Sequence, residues 1–195
     1  GLDLLEGRTK VFWIFSDRSR GASVLINLAT LSPLGEHSAE ALTRVGEFHF
    51  EDEDWQEAID DYQLILRYHA NSEWADLATF RIGQAGYLSL DGYWVDARLA
   101  RQSLNQLREY LRRYPSGLYR AEAETTATAL EENLASYDLE VGDYYEDIGN
   151  VRGARYHYRL AAGQTGTRAA EEASARLLDL PPDPPFEAAE SSEDD

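Results

Sequence analysis

The chain contains no cysteine and no methionine, and lysine occurs once, at Lys10, among 195 residues. Without cysteine, a disulfide framework, a thiolate metal site and a cysteine nucleophile are excluded within these residues. Long hydrophobic runs are also missing. The longest tight apolar cluster is Val11 to Phe15, far short of the roughly 18 apolar residues of a membrane-spanning helix. The opening Gly-Leu-Asp-Leu-Leu lacks the basic start, apolar stretch and small-residue cleavage site of a secretory leader. A start at Gly1 reads equally as a processed or shortened product and as loss of an initiator methionine. Positive charge is scarce: 18 Lys plus Arg stand against 36 Asp plus Glu, for a net charge of -18. Such a chain repels phosphate backbones and anionic lipid, which argues against nucleic-acid binding and electrostatic membrane docking. The near-exclusive use of arginine reads as genome composition or a saline habitat more readily than as a binding feature.

What is present is helical periodicity. From residue 38 to 180 apolar positions recur at three and four, β-branched runs are few, and Gly and Pro fall between the periodic segments. One helix start is expected at Asp54-Trp55, where Glu57 completes a capping box. The preceding Glu51-Asp52-Glu53 lacks the alternating acids and central glycine of a calcium loop, so a solvated turn is expected there. Residues 181–195 carry four prolines and six acids with Phe186 as the one large apolar group, and are expected to be disordered. Removing those six acids from the net -18 leaves -12 on the body. The expected organisation is a capping segment over 1–37, a helical array over 38–180 and an acidic tail over 181–195. Within the first segment, Lys10 to Phe15 reads as a strand or a helix start, and Ser23 to Leu31 as an apolar helical cap on the first hairpin. A strand at Lys10 to Phe15 would be open to pairing with another chain.

The sequence also repeats itself. Thr43-Arg44-Val45-Gly46 recurs as Phe80-Arg81-Ile82-Gly83 at a shift of 37, and His69 to Trp74 aligns with Tyr114 to Tyr119 at a shift of 45. Gly46, Ala58 and Tyr62 map onto Gly142, Ala154 and Tyr158 at a shift of 96. Small residues at set positions with a period in the thirties mark tetratricopeptide helical hairpins. Gly46 and Ala58 are expected to let two backbones approach while Trp55 and Tyr62 fill the space beside them. His49 occupies a packing position in this register, so a half-buried structural residue is expected. The fold class that follows is all-α, a right-handed superhelical stack of tetratricopeptide-like hairpins. The second hairpin carries about eight extra residues, including Asp91-Gly92-Tyr93-Trp94. One long helix, or two nearly continuous ones, is expected from Leu118 to the turn at Gly149-Asn150, and a closing helix from Thr167 to Leu180.

Residues 114–158 carry a more specific pattern. Tyr114-Pro115-Ser116-Gly117-Leu118-Tyr119 is followed by Glu131 to Asp138 and by Val141-Gly142-Asp143-Tyr144-Tyr145. The series resembles the outer-membrane assembly lipoproteins of the BamD type over residues 36 to 178. The chain departs from that family's pattern at His69-Ala70-Asn71-Ser72, at His157 and at Ala162 to Thr165, where the last hairpin lacks the proline. The resemblance implies a scaffold on the periplasmic face of the outer membrane, within the machinery that assembles β-barrel proteins. It implies protein partners, namely a barrel-assembly subunit or an extended peptide, and no cofactor. It also implies membrane contact only through a lipid on a cysteine absent from these residues, expected with a signal peptide ahead of Gly1.

In a stack of hairpins the first helices line the concave, partner-binding face. The residues placed there are Glu40, Thr43, Glu47, Phe50, Gln84 and Tyr87; solvated or packing positions are the competing reading. A second candidate is a small cationic pocket for a carboxylate, formed by Arg155, His157 and Arg159 near Tyr144 and Tyr145. Catalytic and metal motifs are lacking: there is no His-Glu-x-x-His, phosphate loop, nucleophile elbow or dinucleotide fingerprint. The adjacent acids Asp60-Asp61 and Glu131-Glu132 diverge on a helix and read as solvated faces. A non-enzymatic binding protein is therefore expected, with a general tetratricopeptide adaptor of the envelope or cytoplasm as the alternative to the barrel-assembly scaffold.

Overall fold

The computed structural model describes residues 21, 23–27, 31–35, 37–90 and 96–182. Among these, every regular element is helical. Seven helices follow residues 23–27, themselves helical: α1 Ser38–Glu51, α2 Trp55–Tyr68, α3 Ala75–Leu88, α4 Ala97–Arg113, α5 Arg120–Asp147, α6 Val151–Ala162 and α7 Arg168–Asp179. They fall into two compact units, one ending at Leu130 and one beginning at Glu131. The division falls within the stretch that reads as one array in the sequence.

In the first unit, successive helices pack as hairpins, α1 on α2, α2 on α3 and α3 on α4. Helix α1 is buried on two sides, which is why its apolar residues exceed a single stripe. Ala41, Val45 and Phe48 meet Leu25 on one side, while Leu42 joins Ala58, Tyr62, Ile65 and Ala78 on the other. Leu25 thus packs on α1, while residues 28–30 of the expected Ser23 to Leu31 cap lie outside the described residues. The Lys10 to Phe15 run, the 91–94 insertion and residues 183–195 lie outside the described residues. The longer second hairpin is still visible in α4, with 17 residues against 14 in α2.

The close approach of paired helices has a simple steric cause. A Cβ on Gly46 would lie 2.9 Å from Cε1 of Tyr62, so only a bare backbone lets that ring lie between α1 and α2. Gly83 plays the same part on α3, where an added Cβ would sit 2.7 Å from Cγ of Leu107. The turn between α4 and α5 is held by Tyr110, whose hydroxyl accepts from the Tyr119 backbone N–H at 3.0 Å. Tyr119 then stacks on Phe80, with centroids 5.0 Å apart and an interplanar angle of 2°.

In the second unit Ala135, Leu139, Ala154, Tyr158, Ala161, Ala169 and Ala173 form one core. Gly142 faces Tyr158 as Gly46 faces Tyr62, and a Cβ there would overlap the ring. The expected long helix is a single one of 28 residues. It ends where Gly149, at φ 75°, turns the chain into α6. The closing helix is α7.

Helix starts separate into those of α4, α6 and α7, capped by a side chain, and those of α1, α2 and α3, which are not. Asp96, Asn150 and Thr167 accept from the N–H groups of Leu99, Gly153 and Ala170 at 2.9, 3.0 and 3.1 Å. The capping box expected at Asp54 is not made: α2 begins at Trp55, but the Asp54 side chain bonds no backbone N–H. The Asp54 N–H that Glu57 would accept from in such a box is taken instead by the His49 carbonyl at 2.9 Å. Asn150→Ala and Thr167→Ala are each expected to cost about 0.5–2 kcal/mol in denaturant unfolding. Asp54→Ala should cost less than either, and an equal or larger loss would contradict this assignment.

Candidate functional site

Three of the six residues proposed from the sequence, Glu47 and Phe50 on α1 and Gln84 on α3, meet a side chain that was not among them. Arg81, at the centre of α3, donates from Nε to Glu47 Oε1 at 2.9 Å and from Nη2 to Oε2 at 3.1 Å. Its Nη1 donates to Gln84 Oε1 at 2.6 Å, and its guanidinium carbon lies 4.2 Å above the Phe50 ring. Phe50 in turn meets the edge of Trp55, centroids 5.1 Å apart. Tyr62 enters from α2 and donates its hydroxyl to Glu47 Oε1 at 2.6 Å. One carboxylate therefore ties three helices together.

The protonation states of this cluster follow from its surroundings. Burial pushes the Tyr62 phenol far above its ordinary value, and the neighbouring Glu47 charge adds to the shift. Tyr62 is a permanent hydrogen-bond donor at any physiological pH. For Arg81, burial works against the charge, but the hydrogen bonds and charge of Glu47 outweigh it and raise the pKa. The fork-to-carboxylate geometry is the strong, charge-assisted kind. Glu47, Phe50 and Gln84 thus form, with Arg81, a half-buried patch combining an ion pair, an aromatic ring and an amide.

The remaining concave-face candidates are placed differently. Thr43 is 3 % exposed and its hydroxyl donates to the Ala39 carbonyl at 2.8 Å, so it packs rather than presenting a surface. Glu40 and Tyr87 are half-buried on α1 and α3 and take no part in the hydrogen-bonded cluster. Arg81 escaped the sequence reading because the shift of 37 equates it with Arg44, which is exposed. The signal available was the invading acid-tyrosine pair, Glu47 and Tyr62, which leaves a carboxylate that a third helix can complete.

His49 is half-buried and packed, as expected, and its Nδ1 lies 2.7 Å from Asp61 Oδ2. Asp61 is therefore not on a solvated face: Asp60 points to solvent, while Asp61 is 8 % exposed. Burial raises the Asp61 pKa, and the His49 hydrogen bond opposes that rise.

The second unit repeats the tyrosine-acid arrangement. The Tyr158 hydroxyl lies 2.6 Å from a carboxylate oxygen of each of Asp143 and Glu146, its one proton available to either, and Arg176 of α7 lies 3.6 and 3.9 Å from the same two carboxylates. The structure does not gather Arg155, His157 and Arg159 into one pocket. His157 Nδ1 lies 3.0 Å from Asp138, a carboxylate 1 % exposed, and its ring stacks on Tyr145 at 5.5 Å. Arg155 donates to the Pro181 carbonyl, and Arg159 is exposed. Positions 155 and 159 share a helix face, whereas 157 lies on another. Among the described residues no group of three or more His, Asp or Glu is placed to hold a metal ion.

The fold is thus a set of helical hairpins whose close approaches rest on glycines, Gly46 and Gly142 against tyrosine rings and Gly83 against Leu107. The family of outer membrane lipoproteins designated YfiO matches residues 25–160, well over half of the chain, and the chain belongs to that family. No curated protein matches it.

A structural role for His157 separates from a surface role for its neighbour. His157→Ala is expected to destabilise the protein by about 1.5–3 kcal/mol, the scale of a hydrogen bond to a charged group. Arg159→Ala should stay within about 0.5 kcal/mol. Thermal unfolding of the two variants checks this, and equal small losses would contradict the buried-pair assignment.

Proposed function

We propose that this protein is a non-enzymatic scaffold on the periplasmic face of the outer membrane, holding subunits of the β-barrel assembly machinery and receiving unfolded substrate segments. The observation that carries the reading is the family match over residues 25–160. The ordered series from Tyr114 to Tyr145 supports it, because the turn it specifies is built through Tyr110 and Tyr119 and leads into the 28-residue α5. Recognition rather than reaction suits the chemistry. The polar clusters at Glu47 and at Asp143 are satisfied pairs of tyrosine, acid and arginine, with no nucleophile set against a base.

The partner-binding patch in this reading is the surface around Glu47, Phe50, Arg81 and Gln84. Arginine and aromatic side chains held rigid by their neighbours are the usual anchors of protein interfaces. Glu40 and Tyr87 extend the patch along the same helices. Arg155 and Arg159, on one face of α6, offer a second contact for a partner carboxylate.

The test is co-purification. The full-length protein, recovered from envelope membranes in mild detergent, is expected to bring with it a barrel-forming outer-membrane protein bearing periplasmic domains. Arg81→Ala should reduce that recovery at least about fivefold, the scale of one interface anchor, while its circular dichroism stays helical. Recovery of cytoplasmic proteins alone would contradict the proposal and favour a general adaptor.

A further inference from the structure

Of the helices α1 to α7, α6 alone carries no carboxylate. Its charged residues are Arg152, Arg155 and Arg159, in a chain with 36 acids against 18 Lys plus Arg. Steps of three and four place the three arginines on one face of the helix, with Tyr156, 60 % exposed, at its margin. Like charges at this spacing disfavour a helix, so the stripe is a cost to α6 unless an anion lies over it.

The chain leaves its last helix beside this stripe. Leu180, 8 % exposed, belongs to the core of the second unit, and Arg155 donates to the carbonyl of Pro181. Pro181 and Pro182 fix the backbone φ that follows. The point of departure is therefore held at Arg155, between the other two arginines.

The sequence beyond it is of the complementary sign. Asp183, Glu187, Glu190, Glu193, Asp194 and Asp195 occur in residues 183–195 with no basic residue. Arg152 and Arg159 lie about 4.5 and 6 Å from Arg155 along the helix axis. Asp183 reaches about 7 Å from Pro181 at full extension, and Glu187 about 20 Å, so a carboxylate can meet each arginine. The neighbouring helices repel the same segment: α5 ends in Asp143, Glu146 and Asp147, and α7 carries Glu171, Glu172 and Asp179. Its prolines also suit Tyr156, since proline-rich segments settle on aromatic rings. Exposed ion pairs are individually weak, but a tethered segment acts at an effective concentration on the order of mM, which a free anion would have to match.

We propose that residues 183–195 fold back onto α6, their carboxylates lying over Arg152, Arg155 and Arg159, and so occupy the face open to a partner's carboxylate. Only that consequence rests on the reading of Arg155 and Arg159 as a partner contact. The docking itself is measured on the chain alone, so the two can fail separately.

Because the chain has no cysteine, Ser192→Cys gives a single attachment point for a nitroxide on the full-length, isotope-labelled protein. Amide signal intensities are compared before and after the nitroxide is reduced. At low salt the amides of residues 152–159 are expected to lose at least about half of their intensity, since a tethered contact is populated much of the time. The loss should largely vanish near 1 M NaCl, where the screening length is about 3 Å. It should vanish also in the Arg152→Gln, Arg155→Gln, Arg159→Gln triple variant. Changing the six tail acids to Asn or Gln should have the same effect and alters no helix, so the test stands even if the triple variant does not fold. Undiminished signals at low salt would overturn the proposal, as would a loss that persists with the neutral tail or in 1 M salt. So would a loss passed to an unmodified labelled chain mixed with a nitroxide-bearing copy, which would place the contact between molecules.

Discussion

The contact between a glycine and the ring of a buried tyrosine is the constraint on which each unit depends. At Gly46 the nearest ring atoms of Tyr62 would lie 2.9 to 3.2 Å from an added Cβ, closer than carbon atoms pack. The missing side chain sets the distance between the two helices, and the ring fills the space that it leaves. Both tyrosines are fully buried, and a phenol cannot be buried without a partner for its hydroxyl. The partner is the acid that follows the glycine, Glu47 in one unit and Asp143 in the other. Glycine, acid and tyrosine are thus one device, with the spacing and the polar accounting supplied by neighbouring positions.

The acid then meets an arginine from the helix after the tyrosine's. In the first unit Arg81 meets Glu47 through two nitrogens at 2.9 and 3.1 Å. In the second, Arg176 remains at 3.6 Å or more from its carboxylates. These groups keep part of their exposure, 21 % for Arg81 and 32 % for Glu47, so the ion pair itself adds on the order of 1 kcal/mol or less. Removal of apolar surface by the rings is the larger contribution. The arginine matters more for specificity, since it fixes the register of the third helix and holds a cation, a ring and an amide in one rigid patch.

Features that rest on steric necessity were legible in the sequence. Gly46, Ala58 and Tyr62 recur at a shift of 96 as Gly142, Ala154 and Tyr158 because both glycines make room for a tyrosine ring, and that recurrence helped to identify the hairpins. The long α5 was legible because from Leu118 to Asp147 no glycine or proline occurs except Gly142. Features that rest on pairing between distant residues were not. Asp138 and His157 are 19 residues apart, and nothing local to either marks the other. Arg81 was obscured by its equivalence to the exposed Arg44. Asp61 read as one of two solvated acids, yet helix geometry turns it toward His49 while Asp60 faces water. The capping box at Asp54 failed because the Asp54 N–H it needs is already bonded to the His49 carbonyl in the turn, a backbone pairing that residue types do not reveal.

The account's central claim is that the cost of a side chain at Gly46 arises from the Tyr62 ring. A double-mutant cycle on equilibrium unfolding tests it directly. Gly46→Ala is expected to destabilise the protein by about 1–3 kcal/mol, the scale of overpacking, and in a Tyr62→Leu background that cost should fall to a small fraction because the crowding atoms are gone. The same cost in both backgrounds would contradict the claim.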